Sequence, residues 1–296
     1  MKTKFETLMG LIVLLLIFVS CNTQTFEHYK AKAGNAKAQY NLGRCYFEGE
    51  GITMDKAKAV EWWQKAAEQG YAEAQYYLGR CYYEGEGVPM NKATAVEWYQ
   101  KAAEQGLAEA QFNLGRCYYK GEGVPMNKSK AVEWYQKAAE QGLAEAQFNL
   151  GLCFRRGAGV AMNKAKAAEW CQKAAKQGLA EAQCALGNCY TEGKGVPMNK
   201  VKAAEWYQKS ARQGYAQAQF NLGVCYDNGE GVAMNKVKAA EWYQKSARQG
   251  NAEAQFNLGL YYFKDNGSVT KAIEWLTKAA KQGHTGAKML LNMIIE

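Results

Sequence analysis

The sequence predicts an all-α solenoid, a stack of about seven two-helix units. Three observations carry this. A 36-residue unit recurs, with starts at Ala36, Ala72, Ala108, Ala144, Ala180, Ala216 and Ala252. Each unit holds two stretches with apolar residues at helical spacing, and in the first six a glycine-rich breaker lies between them. A fixed period in this range means stacked supersecondary units, none of which buries its apolar face alone.

Taken in chain order, residues 1–20 read as a signal peptide. Lys2 and Lys4 make a positive start, and Leu8–Val19 is a twelve-residue apolar run. That is short of the roughly 20 residues a transmembrane helix needs. Ser20-Cys21 closes the run, with Phe18 a less usual residue three before the cysteine. A small residue followed by Cys resembles the bacterial lipobox, and the resemblance implies a lipid on Cys21 with 21–25 as tether. Asn22 stands where that pattern can carry Asp, which for a Gram-negative source implies the outer membrane. The alternative is an ordinary cleaved signal with an incidental cysteine. Residues 26–35 align with the end of a second helix and its glycine, so they read as an N-terminal capping helix.

The unit Ala108–Leu143 shows the repeat's logic. Gln111, Leu114, Gly115 and Tyr118 fall at i, i+3, i+4 and i+7, one face of a first helix. Gly121-Glu-Gly123 stops that helix, and Pro125 follows in the loop. Asn127 is the expected N-cap of the second helix. That helix turns Ala131, Trp134, Tyr135 and Ala138 inward and pairs Glu133 with Lys137 outside. Gly142 suits the left-handed position after its end. Gly115 sits inside the first helix, where glycine costs roughly 1 kcal/mol against alanine. It recurs in every unit, and the expected reason is a Trp or Tyr ring lying against bare backbone.

The pattern A-x-A-Q-x-x-L-G-x-x-Y-x-x-G-x-G-V followed by K-A-x-E-W-Y-x-K-A-A-x-Q-G resembles the Sel1-like repeat family, relatives of tetratricopeptide repeats. The resemblance implies a right-handed α-solenoid serving as adaptor or scaffold. The units are then 36–71, 72–107, 108–143, 144–179, 180–215, 216–251 and a shorter 252–284, with 285–296 as a C-terminal capping helix. The unbroken repeat reads as one elongated domain. In the cap Met289, Leu290, Met293 and Ile294 replace the repeat pattern, and it is expected to pack onto the seventh repeat and end the stack.

Composition narrows the function. The net charge is +9, and losing residues 1–20 removes two lysines and one glutamate and leaves +8. The basic residues are spread at repeat spacing among glutamates, with no block that would favour nucleic acid. Histidine is limited to His28 and His284, which argues against a His-dependent triad or a His metal site. No cofactor is expected. Carboxylates such as Glu84 and Glu86 flank loop glycines and read as solvated.

Six cysteines occupy the tenth position of successive units: Cys45, Cys81, Cys117, Cys153, Cys189 and Cys225. Neighbouring helices of a stack stand about 8–10 Å apart, beyond the roughly 7 Å between Cα atoms that a disulfide allows. They read as small buried apolar groups. Cys171 and Cys184 differ, because both replace residues that are aromatic in other units. They border the fourth and fifth repeats, and in an exported protein they are a candidate disulfide. The Helicobacter cysteine-rich proteins, a related branch, bridge every unit; this chain lacks that regular pairing.

For partner binding, the first helix of such a unit is expected to line the concave side. Its outward positions form ladders. The sixth carries Asn41, Tyr77 and Asn113, the ninth Arg44, Arg80 and Arg116, and the twelfth Phe47, Tyr83 and Tyr119. Asparagine can bond an extended backbone, arginine can fork onto a carboxylate, and aromatics with arginine anchor interfaces. After the fourth repeat the groove becomes less basic and less aromatic, Arg155-Arg156 apart. The expectation is a monomeric, exported, lipid-anchored scaffold of the bacterial cell envelope that takes a carboxylate-bearing protein segment on repeats one to three. A cell-wall polymer is the alternative ligand. Ser268-Val-Thr-Lys271 matches the S-x-x-K nucleophile pattern of serine β-lactamases, a distant alternative, but the companion S-D-N and K-T-G are missing and Ser268 is placed to cap a helix.

Overall fold

The computed structural model describes residues 31–32, 34–264 and 267–295. The signal peptide, Cys21, the tether and most of the N-terminal capping helix lie outside these residues. Fifteen helices are bounded within them, and no strand occurs among the described residues. The fold class is the expected all-α repeat stack. Where the sequence reads as one domain, the chain groups into two compact units, Met1–Leu143 and Ala144–Glu296, divided at a repeat boundary.

The first unit holds repeats one to three as α1 (Ala36–Glu48), α2 (Lys56–Glu68), α3 (Ala72–Glu84), α4 (Lys92–Glu104), α5 (Ala108–Lys120) and α6 (Lys128–Glu140). The second holds repeats four to seven as α7 (Ala144–Arg156), α8 (Lys164–Lys176), α9 (Ala180–Glu192), α10 (Lys200–Arg212), α11 (Ala216–Asn228), α12 (Lys236–Arg248), α13 (Ala252–Lys264) and α14 (Val269–Lys281). A final helix, α15 (Thr285–Ile295), packs on α14. Within each unit a repeat's first helix packs on its second, and the second packs on the first helix of the next repeat.

The helix bounds follow from local chemistry. The side chains of Asp55, Asn91, Asn127, Asn163, Asn199 and Asn235 each accept from a backbone N–H three residues on, at 2.9–3.1 Å. The first helices of five repeats close on a left-handed glycine, Gly121 of α5 among them at φ +73°. Two residues later Gly123 lies against the Lys92 carbonyl of the preceding repeat, where a Cβ would overlap backbone. Gly87, Gly195 and Gly231 do the same on Lys56, Lys164 and Lys200, so these loops rest on the start of the preceding repeat's second helix.

The core repeats as well. Leu78, Leu114, Leu150, Leu186, Leu222 and Leu258 are fully buried, and small alanines around them let helices approach closely. Tyr135 of α6 lies flat on Gly115 of α5, and the expected reason for that glycine holds. Trp63, Tyr99, Tyr207 and Tyr243 do the same on Gly43, Gly79, Gly187 and Gly223. Trp134, expected inward, is only half-buried. It lies at the edge, with the Lys137 ammonium 4.1 Å from its ring centre. The outward ion pair expected between Glu133 and Lys137 is not made, Lys137 lying over Trp134 instead; the equivalent Glu169 and Lys173 do pair, at 3.1 Å. In α15 Ala287 is buried and Leu290 and Ile294 are partly so, whereas Met289 and Met293 point to solvent.

Candidate functional site

Positions six, nine and twelve are three residues apart, so each repeat presents its rung on one face of its first helix. Asn41, Arg44, Phe47, Tyr77, Arg80, Tyr83, Asn113, Arg116 and Tyr119 are all half-buried on α1, α3 and α5. The three kinds of rung are engaged to different degrees. Phe47, Tyr83 and Tyr119 lean on the core rings of Trp63, Tyr99 and Tyr135, with centroids 5.2, 6.4 and 6.4 Å apart. A lysine covers each of them from outside: Lys56, Lys92 and Lys128, at 5.0, 5.1 and 5.8 Å. The aromatic rung is therefore largely structural.

The arginines are held more loosely. Arg44 pairs with Glu48 at 3.1 Å, and Arg80 approaches Glu84 at 3.9 Å. Both are partly exposed pairs one helical turn apart, a kind worth about 0.3–0.5 kcal/mol. Arg116 has no carboxylate within ion-pair distance among the described residues; it donates to Asn113 at 3.3 Å and lies 5.9 Å from the Phe112 ring. Arg80 lies 5.7 Å from the Tyr77 ring, which itself stacks beside Trp63 at 5.1 Å. Planar guanidinium groups laid along rings, with weak carboxylate partners, can exchange those partners for an incoming carboxylate.

Of the two carboxylates expected to be solvated, Glu84 is exposed, whereas Glu86 is engaged. Glu86 accepts from Lys56 of the preceding repeat at 2.6 Å, and Glu122 from Lys92 at 3.0 Å. Glu122 also accepts from the Tyr83 hydroxyl. The Tyr83 bond and then Lys92 hold the Glu122 carboxyl below the usual range. Burial first, and then Glu122, push the Tyr83 phenol up to about 12.

Cys171 and Cys184 are free thiols, and the register explains why they do not face each other. Position five packs on position twenty-eight of its own repeat: Phe112 on Tyr135 at 5.8 Å and Phe220 on Tyr243 at 5.9 Å. Cys184 accordingly belongs with Tyr207 in the core of α10 and α11, and Asn221 donates to its sulfur at 3.7 Å. Cys171 instead faces Gly151 of its own repeat. Burial pushes both thiols up to about 12. Of the tenth-position cysteines Cys81, Cys117, Cys153, Cys189 and Cys225 are buried as expected, and Cys45 is half-buried. No group of His, Cys, Asp and Glu able to hold a metal occurs among the described residues.

Ser268 stands at the cap position of α14, but its side chain makes no capping bond; its backbone N–H donates to Tyr262 at 2.8 Å. Lys271 lies over the Tyr262 ring at 5.2 Å. His284 accepts from the Ala287 N–H at 3.1 Å and stacks on Phe256 at 4.3 Å, so it starts the last helix.

Sequence reasoning missed two repeating sets. Gln75 and Gln111 are buried and donate to the Ala67 and Ala103 carbonyls of the preceding repeat at 3.0 and 3.1 Å. Each accepts in turn from a glutamine of its own repeat, Gln105 and Gln141, at 2.7 and 2.8 Å. A polar residue recurring within an apolar face was the available signal. The second set is a row of loop methionines, Met54, Met90, Met126, Met162, Met198 and Met234, each 61–66% exposed. No described helix is long and apolar enough to cross a membrane.

Two solved structures resemble the chain over most of its length. A protective antigen present in uropathogenic Escherichia coli strains, displaying an SLR fold, is 41% identical with a TM-score of 0.86 over 90% of this chain. The match spans only 58% of that protein. A Sel1 repeat protein from Oxalobacter formigenes is 35% identical with a TM-score of 0.73, covering 92% of this chain and 79% of its own. No curated protein matches the sequence. The Sel1 repeat model matches 36–71, 72–107, 108–143, 144–179, 180–215, 216–251 and 252–284. With seven matched repeats and the interlocking of each described above, the chain belongs to the Sel1 repeat family.

Proposed function

We propose that the chain is a non-catalytic interaction scaffold of the bacterial cell envelope, anchored by a lipid on Cys21. Its partner is a protein segment bearing carboxylates, taken on the first-helix face of repeats one to three. The observation that carries this is the arginine rung: Arg44, Arg80 and Arg116 recur in register, half-buried, beside Asn41, Tyr77 and Asn113. The carboxylate partners of Arg44 and Arg80 are weak enough to be displaced, Arg116 has none among the described residues, and rings lie beside the guanidinium groups of Arg80 and Arg116. The repeat fold suits such a role because stacked helices offer an extended surface on rigid elements.

The test is cross-linked capture of the processed protein in its own envelope, wild type beside a variant with Arg44, Arg80 and Arg116 all changed to Ala. A protein retained by the wild type and lost with the variant supports the reading. Equal recovery from both removes the groove from it. Labelling of Cys21 by a fatty-acid probe, absent in Cys21→Ala, checks the anchor separately.

A further inference from the structure

The junction of repeats four and five departs from the others in shape and in charge. A cavity of about 350 Å³ opens there, lined by Arg155, Lys164, Asn188, Cys189, Glu192 and Lys194 among others. Its origin is missing side-chain volume. In repeats two, three, five and six a tyrosine covers the glycine of the first helix, whereas here Cys171 does so. Arg155 replaces the ring at position twelve, and Ala185 and Asn188 replace the larger residues that repeats one to three carry at positions six and nine.

The charge changes at the same place. At three other junctions a lysine at the start of the second helix bonds a loop glutamate of the next repeat: Lys56–Glu86 at 2.6 Å, Lys92–Glu122 at 3.0 Å and Lys200–Glu230 at 2.9 Å. Here the loop residue is Lys194, so Lys164 loses its carboxylate. Lys194 pairs with Glu192 beside it. Lys164 and Arg155 have no ion pair among the described residues. Asn188 accepts from the Tyr207 hydroxyl at 2.7 Å and from Asn221 at 3.1 Å through the same oxygen, which leaves its amide N–H groups as donors.

We propose that this cavity binds a small, multiply charged oxyanion, a phosphate ester or a dicarboxylate, between Arg155, Lys164, Lys194 and Asn188. The volume lies within the usual range for small-molecule sites, about 300–1,000 Å³. Three cations and an amide facing one carboxylate favour oxygens that carry more than one charge. This site is independent of the partner face on repeats one to three.

Two substitutions test it by restoring what other repeats carry, so they preserve the fold. Lys194→Glu rebuilds the ion pair with Lys164, and Arg155→Tyr puts back the position-twelve ring of repeats two and three in place of a lining cation. Calorimetric titration of the full chain with pyrophosphate and, separately, with succinate is expected to show saturable binding of at least one probe. Which probe binds distinguishes the phosphate from the dicarboxylate source. Lys194→Glu is expected to weaken it about tenfold or more, and Arg155→Tyr to abolish it. No saturable binding of either probe at millimolar concentration overturns the proposal. So does binding that both variants retain unchanged while melting at or above the wild-type temperature.

Discussion

Gly115 and Tyr135 pack so closely that a Cβ on the glycine would stand 2.7 Å from the ring. Real Cβ atoms do not approach that near, so the bare backbone of α5 is a packing requirement. Gly115→Ala gains up to about 1 kcal/mol of helix propensity and meets an overpacking cost of about 1–3 kcal/mol. A net loss of stability in urea unfolding is expected. Gly151→Ala is the control, because its nearest atom is the Cys171 sulfur at 3.0 Å, and its loss is expected to be smaller.

Gln111 holds two repeats together through the Ala103 carbonyl and its own repeat through Gln141. Gln111→Leu removes two buried bonds, the one to that carbonyl, which keeps the Gly106 N–H at 3.0 Å, and the one that Gln141 donates. A loss of about 1–3 kcal/mol is expected, against almost none for Gln136→Ala on the exposed face. Parallel thermal melts compare the two, and equal shifts would count against the glutamine link.

Glu122 gives the chain a pH dependence with a defined sign. Its folded carboxyl titrates below the usual range because Tyr83 and Lys92 favour the charged form. Its contribution is therefore complete above the unfolded value of about 4.3 and fades as pH falls through the lower folded value. Glu122→Gln is expected to cost up to about 1 kcal/mol at pH 7, with the gap to wild type closing below pH of about 4. A gap that widens in acid would contradict the pairing.

The thiols offer a further check. Burial raises Cys81 to about 12 and Cys117 to about 11, while Cys45 is half-buried. Alkylation of the native protein at pH 8 is expected to reach Cys45 first among the tenth-position cysteines, since the thiolate is the nucleophile. Mapping after unfolding without reductant is expected to recover Cys171 and Cys184 as thiols. A peptide joining them would show that the two helices repack.

Much of this was legible in the sequence because the repeat states its own rules many times. The helix ends, the cap at Asn127, the left-handed Gly142 and the ring over Gly115 all follow from local chemistry read in register. The misses share one cause: the sequence gives which side of a helix a residue takes, but not which neighbour lies opposite. Cys171 and Cys184 look adjacent across a junction, yet position twenty-eight meets position five of its own repeat. Glu86 looks solvated until the Lys56 of the preceding repeat is placed beside it. The cavity at Arg155 and Lys164 was equally hidden, since it arises from several small departures that meet only in three dimensions.

The lysine-to-glutamate and glutamine-to-carbonyl contacts span fixed separations of 30 and 8 residues, and so bear on inheritance. Within the first unit, a gene duplication or excision that copies or removes one whole period presents the same interlock at the new joint. A slip of any other length sets lysine against the wrong loop and glutamine against the wrong carbonyl. Such a gene can change the length of its product in whole repeats through unequal crossing-over, while point changes such as Lys194 make one copy distinct from the rest.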